Sequence, residues 1–203
     1  MNAPTDDTTP LEPKRNRWSL SMWLTAIAVF VFVAVVAVTQ FHLFDIAMRE
    51  RAERVRCCTN IKMLFLGMAM YADDYNGRTP ADAADPTLLG CMLLVIKYVP
   101  QATALHCPSD TRPGDFAERH TNKLAMANIS YSYVPNLKWR NTPDSAILMD
   151  RIYSTSKGSK WPSDGNHGKK GGNIGFNDGH VEWQTGLPSA LKDQDGYKVV
   201  LSP

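Results

Sequence analysis

From Trp18 to Phe44 the chain reads WSLSMWLTAIAVFVFVAVVAVTQFHLF, an apolar run without Lys, Arg, Asp or Glu. As a helix it is long enough to cross a hydrocarbon core of ~30 Å. A cleaved secretory signal has a shorter apolar region of roughly 7–15 residues and a small-residue exit site, and neither fits. A buried core helix would not carry Val, Ala, Phe and Ile on every face over such a length. Residues 18–44 therefore read as a retained transmembrane anchor in contact with membrane lipid, with Trp18 and Trp23 in the interfacial belt.

The pattern changes at Asp45. The stretch DIAMRERAERVRCCTNIKMLFLGMAMYADDYNG contains no Pro, and Cys57, Ile61, Leu64, Met68, Tyr71 and Tyr75 recur at three- and four-residue steps. This predicts a helical spine over 45–76 that continues from the anchor, charged in its first part and needing a cover over its second. Asn76-Gly77 marks its end and Pro80 confirms the stop. The Met-rich face reads as core packing.

The run PTLLGCMLLVIKYVP (Pro86 to Pro100) fits a short helix better than a buried strand, and LHCPSD reads as a bend at Cys107-Pro108 followed by a polar loop over 111–123. The C-terminal third turns strand-like. ISYSYVPN alternates, SAILMD is a short apolar run, and NIGFN and HVEWQ flank Asp178-Gly179. Asp-Gly between alternating runs predicts a hairpin with a type I′ turn, which needs positive φ at both central positions. The alternation places Phe176, Val181 and Trp183 on a buried sheet face, and Ser154 to Gly172 is a Ser-, Lys- and Gly-rich flexible loop. A long helix followed by short antiparallel strands is an α+β fold. The Pro-, Thr- and charge-rich residues 1–17 predict a disordered tail. The domains are thus 1–17, 18–44, 45–76 and a globular part over 77–203.

With 203 residues and a net charge of +2, composition points to no nucleic-acid partner. Lys14, Arg15 and Arg17 before the anchor are matched by Arg49, Arg51, Arg54 and Arg56 after it, so charge alone does not orient it. The four cysteines, Cys57, Cys58, Cys91 and Cys107, all follow the anchor, as an oxidising compartment would use them. That favours a cytoplasmic N-terminus and a periplasmic C-terminal part. The other reading of the cysteines is as small buried hydrophobes. Zinc is disfavoured, because their spacing lacks the paired two-to-four-residue steps of structural zinc sites.

Three stretches together carry a resemblance: ERVRCCTNIKMLFLGMAMYADDYNGRTP (Glu53 to Pro80), LHCPSD (Leu105 to Asp110) and HGKKGGNIGFNDGHVEW (His167 to Trp183). In this order they resemble type IV pilin-like and type II secretion pseudopilin-like proteins, in particular the planctomycete-type branch with a C-terminal prepilin-type processing-associated domain. The resemblance implies a helix half in the membrane and half packed on a small antiparallel sheet in the periplasm. It also implies a Cys57–Cys107 disulfide, with Cys58–Cys91 as a looser second pairing, and other pilin-like or secretion-apparatus subunits as partners. Two departures stand out. Arg17 replaces the Gly before the cleavage point and Met22 the Glu of the mature start, so the chain is expected to escape prepilin peptidase. The interval from His167 to Asp178 is one residue longer than the family pattern, an insertion the 168–172 loop absorbs.

The candidate chemistry gathers around the hairpin. His167, Asn173, Asp178 and His180 are the residues at which a metal or partner contact is sought, and Asn173, Asn177 and Asp178 offer the hard oxygens that calcium takes. No catalytic residue and no other cofactor is expected, because Asp178 lies in the turn itself and two His with one Asp define no ligand spacing. Ser109 lacks a nucleophile elbow, GKKGG lacks the Ser or Thr and the strand of a P-loop, and Asn128-Ile129-Ser130 is a chance sequon. The expected function is a structural or interaction subunit at the bacterial inner membrane. The alternative is a membrane-tethered metal-dependent enzyme or ligand binder using His167, Asp178 and His180.

Overall fold

The computed structural model describes residues 19–81, 85–99, 101–112, 124–135, 137–152 and 160–187. The expected tail over 1–17, the first anchor residue Trp18, most of the 111–123 loop and residues 154–159 of the 154–172 loop lie outside them; the described remainder of that loop buries Trp161 and Asn166 and is not a free flexible segment. The fold is α+β. Helix α1 spans Leu20–Asp74 and α2 spans Leu88–Ile96; strands β1 (Tyr131–Tyr133), β2 (Ala146–Asp150), β3 (Gly172–Phe176) and β4 (Val181–Gln184) follow. They form one antiparallel sheet in the order β1-β2-β3-β4.

The chain parts into two compact units, Met1–Ala47 and Met48–Pro203. In the first, the described residues form the N-terminal part of α1, long and apolar enough to cross a membrane, and its apolar side chains are exposed on all sides. In an aqueous protein such a surface would be untenable. It is compatible with a single-pass anchor.

In the second unit, α1 buries the face its periodicity foretells: Cys57, Ile61, Leu64, Phe65, Gly67, Met68, Tyr71 and Ala72. Tyr75, expected on that face, is half exposed and stacks on Tyr71 with ring centroids 4.1 Å apart. The helix stops where Asn76 and Gly77 enter the left-handed region, at φ 57° and 75°, with the Gly77 N–H donating back to the Ala72 carbonyl at 2.7 Å. The run from Pro86 yields α2, capped by Thr87 Oγ1, which accepts from the Gly90 N–H at 3.2 Å. A Cβ on Gly67 would lie 2.6 Å from Val99 and 3.2 Å from Val95, so this glycine lets α1 and the end of α2 approach closely.

The pleat assigns each strand residue a face. Cross-strand partners share a side, so Tyr131, Tyr133, Leu148, Asp150, Asn173, Gly175, Val181 and Trp183 point one way. This is the side that α1 covers, since a Cβ on Gly175 would meet the Phe65 ring at 2.2 Å and Ile61 at 3.0 Å. Phe176 therefore lies on the opposite face from Val181 and Trp183, contrary to the sequence expectation. Both faces of β3 are buried, the second partly by Trp161, whose ring packs onto Gly172.

The hairpin forms at the expected place with different chemistry. Gly179 has φ 94°, whereas Asp178 does not enter the positive region. The Gly179 N–H donates to the Phe176 carbonyl at 2.8 Å and the Phe176 N–H to the His180 carbonyl at 2.9 Å. This is a three-residue loop, a type I turn closed by a left-handed glycine, and not a two-residue type I′ turn. Asn177 enforces it: its buried side chain donates to the Lys138 carbonyl at 2.9 Å and its N–H to the Ser145 carbonyl at 2.9 Å, which takes the residue out of strand pairing.

The substitution Gly175→Ala is expected to cost about 1–3 kcal/mol by overpacking against Phe65. In a double-mutant cycle with Phe65→Ala, read by denaturant unfolding, the two costs should be non-additive; additive costs would place the clash elsewhere.

Candidate functional site

Four segments of the second unit converge beneath Trp183. Helix α1 brings Cys57, the bend after the 3-10 turn Ala102–Leu105 brings Cys107, the last residue of β2 is Asp150, and the approach to β3 carries Asn166 and His167. Cys57 and Cys107 form a disulfide with their Cα atoms 5.1 Å apart, closing a loop of sequence separation 50. Cys58 and Cys91 are not bridged. One helical step rotates Cys58 by ~100° away from the Cys57 face, while Cys91 is buried on α2, so the second expected pairing does not form.

Asp150 is the centre of the cluster. Its side chain is 1% exposed, and a buried carboxylate has to be met by donors or by charge. Oδ1 accepts from Asn166 Nδ2 at 2.8 Å; Oδ2 accepts from the Asn173 N–H at 2.6 Å and from Asn173 Nδ2 at 3.1 Å. His167 Nε2 lies 3.5 Å from Oδ2 and 3.6 Å from Cys107 Sγ. The donor atoms of Cys57, Cys107, Asp150 and His167 all fall within 4.8 Å of one another, and all four residues are buried.

Desolvation dominates the ionisation of this pair. Burial pushes the Asp150 carboxyl up, against the pull of His167 and the amide donors of Asn173 and Asn166. Burial likewise pushes the His167 imidazole below its ordinary value, more than the Asp150 charge raises it, and Arg54 adds to the lowering. The imidazole is thus neutral at neutral pH, free to act as a hydrogen-bond partner or a ligand.

Trp183 roofs the cluster, edge-to-face on His167 at 5.1 Å, and the Arg54 guanidinium lies 4.0 Å from its ring centroid. Gly171 makes the approach possible, at φ 139°, since a Cβ there would fall 2.8 Å from the indole. Glu50 holds the outer layer, pairing with Arg54 and accepting from Lys170 Nζ at 2.6 Å. Beside the cluster, Asp110 is clasped by Arg151 Nη1 at 3.0 Å and by Arg112 Nη2 at 2.8 Å. An open pocket of about 470 Å³, lined by Arg56, Thr59, Asn60, Thr103, His106 and Pro108, lies on the other flank of the bend.

The residues singled out from sequence are divided between the two ends of the β3–β4 hairpin. His167 and Asn173 meet at the buried cluster. Asp178 and His180 sit at the exposed tip, where Asp178 Oδ1 accepts from the His180 N–H at 3.0 Å and also pairs with its Nδ1, and His180 stacks on Phe176 at 4.4 Å. The His180 contacts hold the Asp178 carboxyl below its usual range. Asn177, expected among the calcium oxygens, is fully buried with its Oδ1 accepting from the Arg140 N–H at 3.3 Å, and Asn173 lies at the other end of β3, so this oxygen set is not assembled. Sequence reasoning missed Asp150 and Asn166. The signal for Asp150 was a lone carboxylate closing an apolar run; Asn166 gave none.

No protein-family model matches the chain, and no curated protein or solved structure matches it either.

Two outcomes follow from this geometry. The double substitution Cys57→Ser with Cys107→Ser should lower stability by about 2–4 kcal/mol in denaturant titration, as expected for releasing a long loop. For His167, the unfolded chain takes up a proton near the ordinary value of 6.5, whereas the folded chain refuses it until a lower pH. Its contribution is therefore flat above 6.5, and stability falls as pH drops below that value. Asp150 acts in the opposite sense: the folded carboxyl holds its proton longer, so stability is lost as pH rises from 3.8 through the raised folded value. Thermal melts should show the slope just below pH 6.5 become shallower in His167→Gln, the remainder coming from His106, whose imidazole is also held below its ordinary value by burial.

Proposed function

We propose that this chain is a membrane-anchored, pilin-like or pseudopilin-like structural or interaction subunit, associated with a type II secretion or type IV pilus-like assembly. Its N-terminus lies in the cytoplasm and its head faces the periplasm or cell surface of a bacterium. The observation that carries this reading is helix α1. Its first part is an exposed apolar rod of membrane-crossing length, and its later part is the spine on which an antiparallel sheet and a short helix are built. The buried Cys57–Cys107 bridge supports placing the head in an oxidising compartment. The long helix packed on a four-stranded antiparallel sheet supports the pilin-like assignment at the level of architecture. Leu66 and Met70, exposed one turn apart on the spine, are where other pilin-like subunits would contact it.

An enzymatic or ligand-binding role through His167, Asp178 and His180 is less well supported, because the hairpin holds the first apart from the other two. We therefore read the protein as non-enzymatic. Arg17 at the position of the processing glycine further supports an unprocessed anchor.

Membrane-extracted protein should keep the residues that precede Trp18, as read by intact mass; their loss would show processing. On intact spheroplasts, in a Cys58→Ser background that removes the partly exposed native thiol, a membrane-impermeant maleimide should label Lys169→Cys in the head and leave Asp7→Cys in the tail unlabelled. The reverse pattern would overturn the orientation.

A further inference from the structure

We propose that Cys57, Cys107, Asp150 and His167 form a zinc site in the reduced chain, so that a bound Zn²⁺ and the disulfide are alternative locks on one joint. The inference is independent of the proposed function, since it concerns only the interior of the second unit.

The donor set has the required chemistry. Two thiolates, an imidazole and a carboxylate suit Zn²⁺, whereas thiolates disfavour calcium and magnesium. The spacing also fits. Zinc bonds of ~2.3 Å to sulfur and ~2.0–2.1 Å to nitrogen or oxygen at tetrahedral angles imply ligand–ligand separations of about 3.3–3.8 Å. His167 Nε2 lies 3.6 Å from Cys107 Sγ and 3.5 Å from Asp150 Oδ2. The first is the length of a hydrogen bond to sulfur and the second is longer than a direct hydrogen bond to oxygen, so the ring nitrogen faces both the sulfur and the carboxylate.

The surroundings are those that hold metal ligands in place. Asn166 and Asn173 fix the carboxylate with three hydrogen bonds, and Trp183 packs on the imidazole. Four separate segments supply one ligand each, so a metal would join α1, the Cys107 bend, β2 and the approach to β3. That is two segments more than the disulfide joins, and the Cα separation of 5.1 Å between the cysteines lets the sulfurs part by side-chain rotation.

The exchange balances with a dithiol as reductant. The dithiol gives two electrons and two protons to the Cys57–Cys107 bond and is itself closed to a cyclic disulfide, leaving two thiols. Zn²⁺ then displaces both thiol protons to solvent and takes the two thiolates, His167 Nε2 and an Asp150 oxygen. A newly made chain whose thiols have not been oxidised reaches the same state without the first step.

The test uses the full chain in detergent, unfolded and refolded with or without a dithiol in the presence of Zn²⁺ alone, Co²⁺ alone or Ca²⁺ alone, then freed of unbound metal. We expect one zinc per reduced chain and none per oxidised chain, no retained calcium, and tetrahedral d–d and thiolate charge-transfer bands with cobalt. Bound zinc should shield Cys57 and Cys107 from alkylation. His167→Ala should abolish retention, His167→Cys should restore it with a shifted cobalt charge-transfer band, and Cys58→Ser should leave it unchanged. Asn166→Ala should weaken it about 10–100-fold. The proposal is overturned if the reduced chain retains no zinc, if oxidised and reduced chains bind alike, if His167→Ala still binds, or if binding depends on Cys58.

Discussion

A carboxylate cannot be left alone in a protein interior, and Asp150 is where this fold meets that constraint. The residue ends β2 on the face that α1 covers, where solvent is excluded. Its oxygens are satisfied by the backbone and side chain of Asn173 on β3 and by Asn166 on the approach to it, with His167 close by. Removing these partners would leave a buried charge costing several kcal/mol. The geometry of β2, the 160–171 segment and the start of β3 is therefore set together. Asn166 extends the tie to β1, because the same amide group donates to the Ser130 carbonyl at 2.8 Å.

The disulfide works beside this polar knot and solves a different problem. Polar contacts fix the sheet and the segment above it, whereas the covalent bridge fixes α1 to the bend at Cys107. Between the two, Gly175 lets Phe65 and Ile61 sit against the sheet, and Gly171 lets Trp183 close over His167. The charged turn of α1 acquires a role in this arrangement. Glu50 orients Arg54 and Lys170, and Arg54 covers the indole, so the charged first part of the spine forms the outer layer of the cluster.

Much of this was legible in the sequence, for reasons that differ by element. The spine and α2 were readable because helical period and stop signals are local, and the burial of Cys57, Ile61, Leu64, Met68 and Tyr71 follows the three- and four-residue steps. The hairpin position was readable from Asp178-Gly179, but its turn type was not, because Asn177 is held by Lys138 and Ser145 from a distant part of the chain. Phe176 was placed on the wrong sheet face for the same reason: the three-residue loop shifts the register relative to a two-residue turn. The site was half legible. His167 and Asn173 stood out, yet spacing along the chain argued against any zinc-type set, since rules for paired cysteines describe ligands from one local loop. Here the four donors come from four segments, and only the fold brings them together.

The central claim is that the Asp150 carboxylate, through Asn166 and Asn173, organises the sheet end nearest α1. Hydrogen exchange of the oxidised full chain against Asp150→Asn addresses it most directly. The account predicts faster exchange at Asn173 and Ile174 and in the 160–171 segment, with α2 keeping its protection. Unchanged exchange at β3, or an equal loss of protection in α2, would contradict it.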